Sequence, residues 1–102
     1  MIYVLKLAND CWYVGHGDGV SKRIKHHVNG KGSSWTKRNP VEGVQVIMEG
    51  DKNTEREVTL DLMKLYGFQK VRGAGYTVAE YPDDYPTPAL NTHIPVHFFN
   101  AF

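Results

Sequence analysis

The feature that most constrains the fold is a pair of strand-like segments close to the N-terminus. Residues 2–7 and residues 11–16 are rich in the β-branched and aromatic side chains that favour strands. Only the tripeptide Ala8-Asn9-Asp10 separates them, and so short a loop with Asn and Asp is typical of a β-hairpin. The chain is therefore expected to begin with two antiparallel strands, against which the rest of the domain must pack.

A glycine-rich break after the hairpin is followed by a segment with helical spacing. Val20, Ile24 and Val28 recur every four residues, which predicts a helix with these side chains along one face. Asp18 is the expected cap at its start, and an Asn-Gly pair ends it. The polar and basic stretch that follows this helix is expected to be a loop.

A third strand and a second helix are predicted from the middle of the chain. Residues 44–48 form an apolar run typical of a strand, and a helix capped by Asp51 or Asn53 is expected to end at Gly67. The apolar side of that helix is predicted to consist of Val58, Leu62, Leu65 and Tyr66. The resulting β-β-α-β-α order implies an α/β (α+β) fold, in which a small, three-stranded, mostly antiparallel sheet is flanked by helices.

The composition divides the chain of 102 residues into one domain and a tail. Residues 79–102 contain four of the five prolines together with several aromatic residues. We therefore expect a domain over 1–78 and a Pro- and aromatic-rich C-terminal tail over 79–102 that packs on the domain or on a partner. The single Cys11, the absence of a secretion signal and the lack of a long apolar run favour a cytoplasmic protein that does not enter a membrane.

Positive charge is concentrated in one part of the chain, although the formal net charge is only +1. The stretch between Asp18 and Glu42 contains no acidic residue but two histidines and six cations, namely Lys22, Arg23, Lys25, Lys31, Lys37 and Arg38. One positively charged face would suit a nucleic-acid backbone. An ordinary solvated surface segment explains the same pattern equally well.

Five side chains could carry hydrolytic chemistry if the fold brings them together. Tyr3 and Tyr13 lie on neighbouring strands of the hairpin, while Arg23 and His27 are four residues apart on one helix. Glu57 lies in the first turn of the second predicted helix. Each has a simpler explanation, because strand tyrosines usually pack in cores and Glu57 could complete a capping box with Thr54.

The order and spacing of these residues resemble the GIY-YIG nuclease superfamily, which includes phage homing endonucleases, some restriction enzymes and the incision half of bacterial excision repair. The resemblance runs from residue 2 to about residue 77, and its motifs here are Ile2-Tyr3-Val4, Tyr13-Val14-Gly15, the segment from Lys22 to His27, and Glu55-Arg56-Glu57. The sequence departs from the family pattern at Met1, where a glycine is usual, and at Thr77, where some relatives have asparagine.

The resemblance implies an endonuclease that hydrolyses DNA with Mg²⁺ or Mn²⁺. It implies that Tyr3 and Tyr13 position or deprotonate the attacking water, that Arg23 binds phosphate and that His27 assists proton transfer. Glu57 would be the single metal-binding carboxylate, with Glu55 as the neighbour to test against it. The Val-Arg-Gly segment resembles that of one subset of the superfamily and would let Arg72 contact phosphate, although a solvated turn arginine is an equal alternative.

The surface expected to contact nucleic acid comprises Lys22, Lys25, His26, Lys31, Trp35, Lys37, Arg38 and Arg72. Trp35 is included because indole rings stack on bases, although burial as an anchor for the basic loop is the commoner role. The residues leave RNA open as a substrate, and a homodimer or protein partner could engage the C-terminal tail. The competing hypothesis is a non-catalytic nucleic-acid-binding or nuclease-regulating module on the same fold.

Overall fold

A computed structural model describes residues 1–84 of the chain. Its regular elements, in chain order, are β1 (Ile2–Leu7), β2 (Cys11–His16), α1 (Val20–Val28), α2 (Ser34–Arg38), β3 (Val41–Met48), α3 (Lys52–Tyr66) and β4 (Val71–Gly73). Most of the predicted tail, and with it the expected partner surface, lies outside the described residues. No helix within residues 1–84 is long and apolar enough to cross a membrane.

The predicted hairpin is confirmed, and it forms the centre of the sheet. β1 pairs antiparallel with β2, so that Tyr3 lies opposite Gly15 and Leu5 lies opposite Tyr13. The reversal occurs in a short 3-10 turn in which Asn9 and Asp10 have left-handed backbone angles, with φ of 63° and 57°. Asn and Asp tolerate this region better than most residues, which explains why the turn signal in the sequence was reliable.

The sheet has four strands in the order β3-β1-β2-β4, so the prediction of three strands was wrong by one. The first three strands are antiparallel, as predicted, but β4 pairs parallel to β2 and makes the sheet mixed. β4 has only three residues. A segment of that length shows no periodicity, and the glycines that follow it favoured a turn.

Helix α3 covers one face of the sheet, and α1 and α2 lie on the other. Ile2, Val4 and Val14 pack with Val58 and Leu62 in the larger core cluster. The alternate residues of β1 belong to a second core cluster, which they form with side chains of α1 and α2. This cluster consists of Tyr3, Leu5, Leu7, Cys11 and Trp35, with Val20 and Ile24 packed against it. Three residues that were predicted to pack along helix faces are instead exposed, namely Val28, Leu65 and Tyr66.

The helix starts differ from the predictions in two places. The Asp51 cap of α3 is confirmed, since its carboxylate accepts a hydrogen bond from the Thr54 amide at 3.0 Å. Asp18 does not cap α1, because Gly19 occupies the N-cap position in a left-handed conformation with no side-chain cap bond. The predicted basic loop contains the short helix α2, whose capping box is closed by the Ser33 hydroxyl and the Thr36 amide at 3.1 Å.

Candidate active site

A cleft of ≈ 560 Å³ opens on the face of the sheet that carries Tyr3 and Tyr13. Helix α1 and the loop before α2 form its other walls. Its lining includes four of the five side chains for which we predicted chemical roles, Tyr3, Tyr13, Arg23 and His27, together with Lys22, His26 and Lys31. Four residues from three different elements therefore converge, as the sequence predicted, although no observation yet tests the roles assigned to them.

Tyr3 forms the floor of this cleft. Its side chain is almost fully buried, and its hydroxyl lies 3.4 Å from Nε2 of His27. Burial, reinforced by the neighbouring Tyr13, raises the pKa of Tyr3 to about 12, although the charge of Arg23 and a hydrogen bond with it act in the opposite direction. Tyr3 is consequently a neutral phenol at physiological pH, able to donate a proton but not to act alone as a base.

Tyr13 lies beside Tyr3 at the entrance to the cleft and is only partly buried. Its ring centroid is 6.2 Å from that of Tyr3 and 4.6 Å from the imidazole of His27. Burial raises its pKa, with a further contribution from the negative charge of Glu55. The two phenols and the imidazole therefore form one aromatic cluster that lines the cleft.

His27 is the buried imidazole of this cluster. Its Nδ1 lies 2.9 Å from Oγ1 of Thr36, while Nε2 faces the Tyr3 hydroxyl. Burial lowers the pKa of His27, and the nearby positive charges of His26 and Arg23 lower it further. The ring is thus neutral at pH 7 and keeps one nitrogen available as a proton acceptor.

Arg23 reaches the cleft from the first turns of α1, and its side chain is exposed. Its Nε donates to the carbonyl of Asp18 at 3.3 Å. The guanidinium also lies close enough to Tyr3 to act on its pKa. An exposed planar fork beside a cleft is well suited to binding the oxygens of a phosphate.

Asp18 lines this cleft, and Glu55 lies outside the lining but acts electrostatically on Tyr3 and Tyr13. Glu57 also lies outside the lining, and its role as metal ligand stays a prediction. Glu57 is exposed on α3. Glu55 is partly buried and is itself influenced by His16, Lys52 and Arg23. The capping box uses Asp51 with Thr54, so Glu57 does not complete one either.

Three glycines, to which the sequence analysis gave no role in packing, make room for side chains of the cleft. A Cβ atom on Gly15 would lie 2.1 Å from Cζ of Tyr3, and one on Gly17 would lie 2.8 Å from Nε of Arg23. A Cβ on Gly32 would lie 2.1 Å from Nδ1 of His27. The glycine-rich segment was interpreted from the sequence only as a break after the hairpin, whereas Gly15 in β2 and Gly17 just after it lie against a phenol and a guanidinium.

The predicted nucleic-acid surface is divided by the structure into a cleft rim and a separate exposed region. Lys22, His26 and Lys31 line the cleft. Lys25, Lys37 and Arg38 are exposed outside its lining, and Arg38 forms an ion pair with Glu80 at 3.2 Å. Nucleic-acid contact by any of these residues stays a prediction.

The predictions that Arg72 and Trp35 contact nucleic acid were wrong, because both side chains are buried. Arg72 donates to the carbonyls of Val78, Phe68 and Val71 at 2.6–2.8 Å, and its guanidinium lies 4.5 Å from the Trp35 ring. The indole Nε1 of Trp35 donates to the carbonyl of Trp12 at 2.9 Å. These two side chains hold the C-terminal part of the described chain against α2.

A divalent metal would have to be held by very few protein groups here. Within residues 1–84, no three His, Cys, Asp or Glu side chains are grouped as in a closed metal centre. Mg²⁺ needs only one or two carboxylates, because water and substrate oxygens complete its shell. Asp18 lines the cleft, while Glu55 is partly buried and acts electrostatically on Tyr3 and Tyr13. One or both of these carboxylates could supply the hard-oxygen ligands that such an ion needs.

Comparison with known proteins gives relatives but no described activity. No family model matches the chain, and no solved structure matches it. It is 39% identical over 36 residues to the UPF0213 protein BH0048 of Halalkalibacterium halodurans, a match that covers 35% of this chain and 38% of that protein. It is also 37% identical over 70 residues to the UPF0213 protein YazA of Bacillus subtilis, which covers 68% of this chain and 65% of that protein. The chain is thus similar to bacterial UPF0213 proteins, and its match with YazA spans slightly less than two thirds of the length of that protein.

Proposed function

We propose that the chain is a metal-dependent endonuclease that hydrolyses phosphodiester bonds in DNA, with Mg²⁺ or Mn²⁺ as the ion. The observation that supports this proposal is the convergence of Tyr3, Tyr13, Arg23 and His27 in one cleft with a basic rim. These residues are far apart in the chain, and together they supply what phosphodiester hydrolysis requires, namely proton transfer and charge neutralisation. The resemblance to the GIY-YIG superfamily agrees with this function.

Proton transfer in this proposal runs from water to His27 through Tyr3. A phenol whose pKa is about 12 does not ionise near neutral pH, so Tyr3 needs an acceptor for its own proton. Nε2 of His27, 3.4 Å from the hydroxyl, belongs to a neutral ring and can accept it. As water attacks phosphorus, its proton moves to the oxygen of Tyr3 while the proton of Tyr3 moves to His27, and the P–O bond to the departing nucleotide oxygen breaks. That oxygen takes a proton from solvent water, and His27 returns its proton to the solvent. Tyr13 would orient the water or a phosphate oxygen at the entrance.

Charge on the phosphate would be neutralised by the protein and by the ion together. Arg23 would bind two non-bridging oxygens with its planar fork and hold the phosphorus over Tyr3. Glu55 would hold the divalent ion, which when bound supplies positive charge to the phosphate and lowers the pKa of coordinated water. Lys22, His26 and Lys31 would bind the flanking phosphates, so binding is expected to weaken steeply with salt.

Two glutamates on one helix provide a matched test of the proposed site. Glu55→Gln should lose most of its cleavage of supercoiled plasmid in Mg²⁺, whereas Glu57→Gln should cut at close to the wild-type rate. Both changes remove one charge from α3 and keep the shape of the side chain. Parallel reactions with chelator should be inactive, and linear, branched and RNA substrates would define the class of nucleic acid.

The outcomes separate the proposal from its alternative. Loss of cleavage in both variants, or in neither, would contradict the assignment of Glu55. A wild-type protein that binds DNA with strong salt dependence but cleaves no substrate in any metal would indicate the alternative hypothesis, a nucleic-acid-binding or nuclease-regulating module.

A further inference from the structure

We propose that Thr36 is a positioning residue, which holds the His27 ring in the tautomer that has its proton on Nδ1 and its lone pair on Nε2. The inference rests on the proposed function, because this tautomer is the one that can accept the Tyr3 proton. Thr36 contacts neither the cleft nor a substrate, and it acts only through His27. None of the motifs that we identified in the sequence includes it.

The contact between Thr36 and His27 is short and shielded from water. Oγ1 of Thr36 lies 2.9 Å from Nδ1, and both side chains are buried. The ring has little freedom to turn away, because Gly32 lies against the Nδ1 edge so closely that a Cβ there would overlap it. The Tyr13 ring lies against the imidazole on another side, at 4.6 Å between centroids.

The hydrogen bonds around the Thr36 hydroxyl favour one direction of donation. Oγ1 lies 3.2 Å from the Ser33 carbonyl, which can only accept, and at the same distance from the Ser33 amide, which donates to it, and from the Ser33 hydroxyl. In the proposed arrangement the proton of Thr36 goes to the carbonyl, so that Oγ1 accepts from Nδ1 and the ring proton lies there. Nε2 is then left with a lone pair directed at the Tyr3 hydroxyl.

The opposite tautomer fits the surroundings of Tyr3 less well. A proton on Nε2 would point at the Tyr3 oxygen, close to which the guanidinium of Arg23 also lies. Tyr3 would then face two donors while its own proton lacked this acceptor. Buried polar groups are nearly always paired, so this arrangement is disfavoured.

Thr36 can impose this tautomer because it lies on a rigid element. The preceding residue, Trp35, is buried, its indole donates to the Trp12 carbonyl at 2.9 Å, and its ring faces the guanidinium of Arg72. Asn39 at the other end of α2 donates its side-chain amide to the Trp35 carbonyl at 3.2 Å. The short helix is thus fixed to the sheet, and Thr36 with it.

The proposal predicts a spectroscopic signature that does not require activity. Ring ¹⁵N resonances of His27, assigned with His27→Gln, should show a protonated Nδ1 and an unprotonated Nε2 in the wild-type protein at pH 7.5. Thr36→Ser keeps the hydroxyl and should keep this pattern. Thr36→Val has nearly the same shape without the hydroxyl and should show a mixture of both tautomers.

The kinetic expectation follows from the same change. Thr36→Val should lower kcat by about 10–100-fold with KM little changed, as found when the outer partner of a functional histidine is removed, while Thr36→Ser should retain most activity. A wild-type His27 protonated on Nε2, or a folded Thr36→Val variant with the wild-type tautomer, would overturn the proposal. If Thr36→Val fails to fold, the wild-type and Thr36→Ser spectra decide. The correct tautomer in an inactive wild-type protein would reject the nuclease function but keep the role of Thr36.

Discussion

Two arginines in the two halves of the molecule have opposite surroundings. Arg72 is buried and uses four N–H bonds on internal acceptors, three of them backbone carbonyls and the fourth Oε1 of Gln69 at 3.2 Å. Arg23 is exposed at a cleft, where its Nε donates to the Asp18 carbonyl at 3.3 Å. Both are arginines in strongly patterned segments, and sequence reasoning assigned phosphate binding to both.

The difference shows that satisfied donors, rather than charge alone, separate structural from functional arginines. A guanidinium enclosed by carbonyls and by the rings of Trp35 and Tyr81 has little capacity left for a ligand. A guanidinium at the edge of a cleft that also contains two phenols and a neutral imidazole can bind an incoming oxyanion. Arg72 is therefore a structural residue, and the phosphate-binding role of Arg23 remains the proposal to be tested.

The largest expected effect is on catalysis at Arg23. Arg23→Ala should lower the rate of plasmid cleavage by about 10²–10³-fold, as is typical when one donor to a developing oxyanion is removed. The midpoint of thermal unfolding should change little, because the side chain is exposed. Arg56→Ala removes the same charge from an exposed position on α3 and should leave the rate nearly unchanged. A wild-type cleavage rate for Arg23→Ala would contradict the proposed phosphate-binding role of Arg23.

The next largest effect is on stability at Arg72. Arg72→Ala leaves three buried carbonyls without their donor and opens a cavity, so the free energy of unfolding should fall by about 3 kcal/mol or more. Urea titration followed by circular dichroism measures this change. Arg38→Ala breaks only the exposed ion pair with Glu80 and should lower stability by about 0–1 kcal/mol. Equal losses in the two variants would contradict a structural role for Arg72.

A smaller effect is expected where Gly15 contacts Tyr3. Gly15→Ala puts a methyl group where the Tyr3 ring lies, and such overpacking destabilises proteins by about 1–3 kcal/mol. The displaced hydroxyl should also reduce the cleavage rate. Gly43→Ala is the matched control, because a Cβ at Gly43 in β3 meets no atom within 4 Å. Thermal melts and cleavage rates of both variants would separate an effect on packing from an effect on catalysis.

The smallest expected effect is the pH dependence. Burial holds the pKa of His27 below its ordinary value of 6.5, so kcat/KM should be constant near pH 7–8 and fall about tenfold per unit at lower pH. Stability should also decrease as the pH falls below about 6.5, because the unfolded chain binds a proton that folded His27 resists. His27→Gln should lack this limb of the rate profile. An acidic limb with its midpoint above 6.5 would contradict a neutral, buried imidazole.

Local signals predicted the hairpin, and the family resemblance implied the convergence at the cleft, whereas helical register and burial could not be predicted reliably. Ile2–Leu7 and Cys11–His16 agree with the predicted strands, since β-formers flank a short Asn-Asp turn. On α3, treating Leu65 and Tyr66 as core residues misplaced the buried face, which includes Thr59 and Met63.

Glu57 was preferred to Glu55 from the register of the family motif, which takes no account of which side of the helix faces the sheet. Glu55 lies one turn before Thr59, whose hydroxyl donates to the Glu55 carbonyl at 2.7 Å, so it shares the inner face of the helix. The burial of Arg72 could not be predicted from the sequence either. Arginine is seldom fully buried, and nothing in the local sequence indicates the carbonyls that surround it. Such features depend on tertiary contacts that a single sequence does not display.

The most direct test of the central claim is plasmid cleavage by Tyr3→Phe. This change removes one oxygen atom, the hydroxyl 3.4 Å from Nε2 of His27, and leaves the buried ring in place. We predict that cleavage in Mg²⁺ falls by at least about 10²-fold, the scale of one general acid–base group, while DNA binding and the unfolding midpoint stay near wild-type values. A Tyr3→Phe protein that cuts at the wild-type rate would contradict the account.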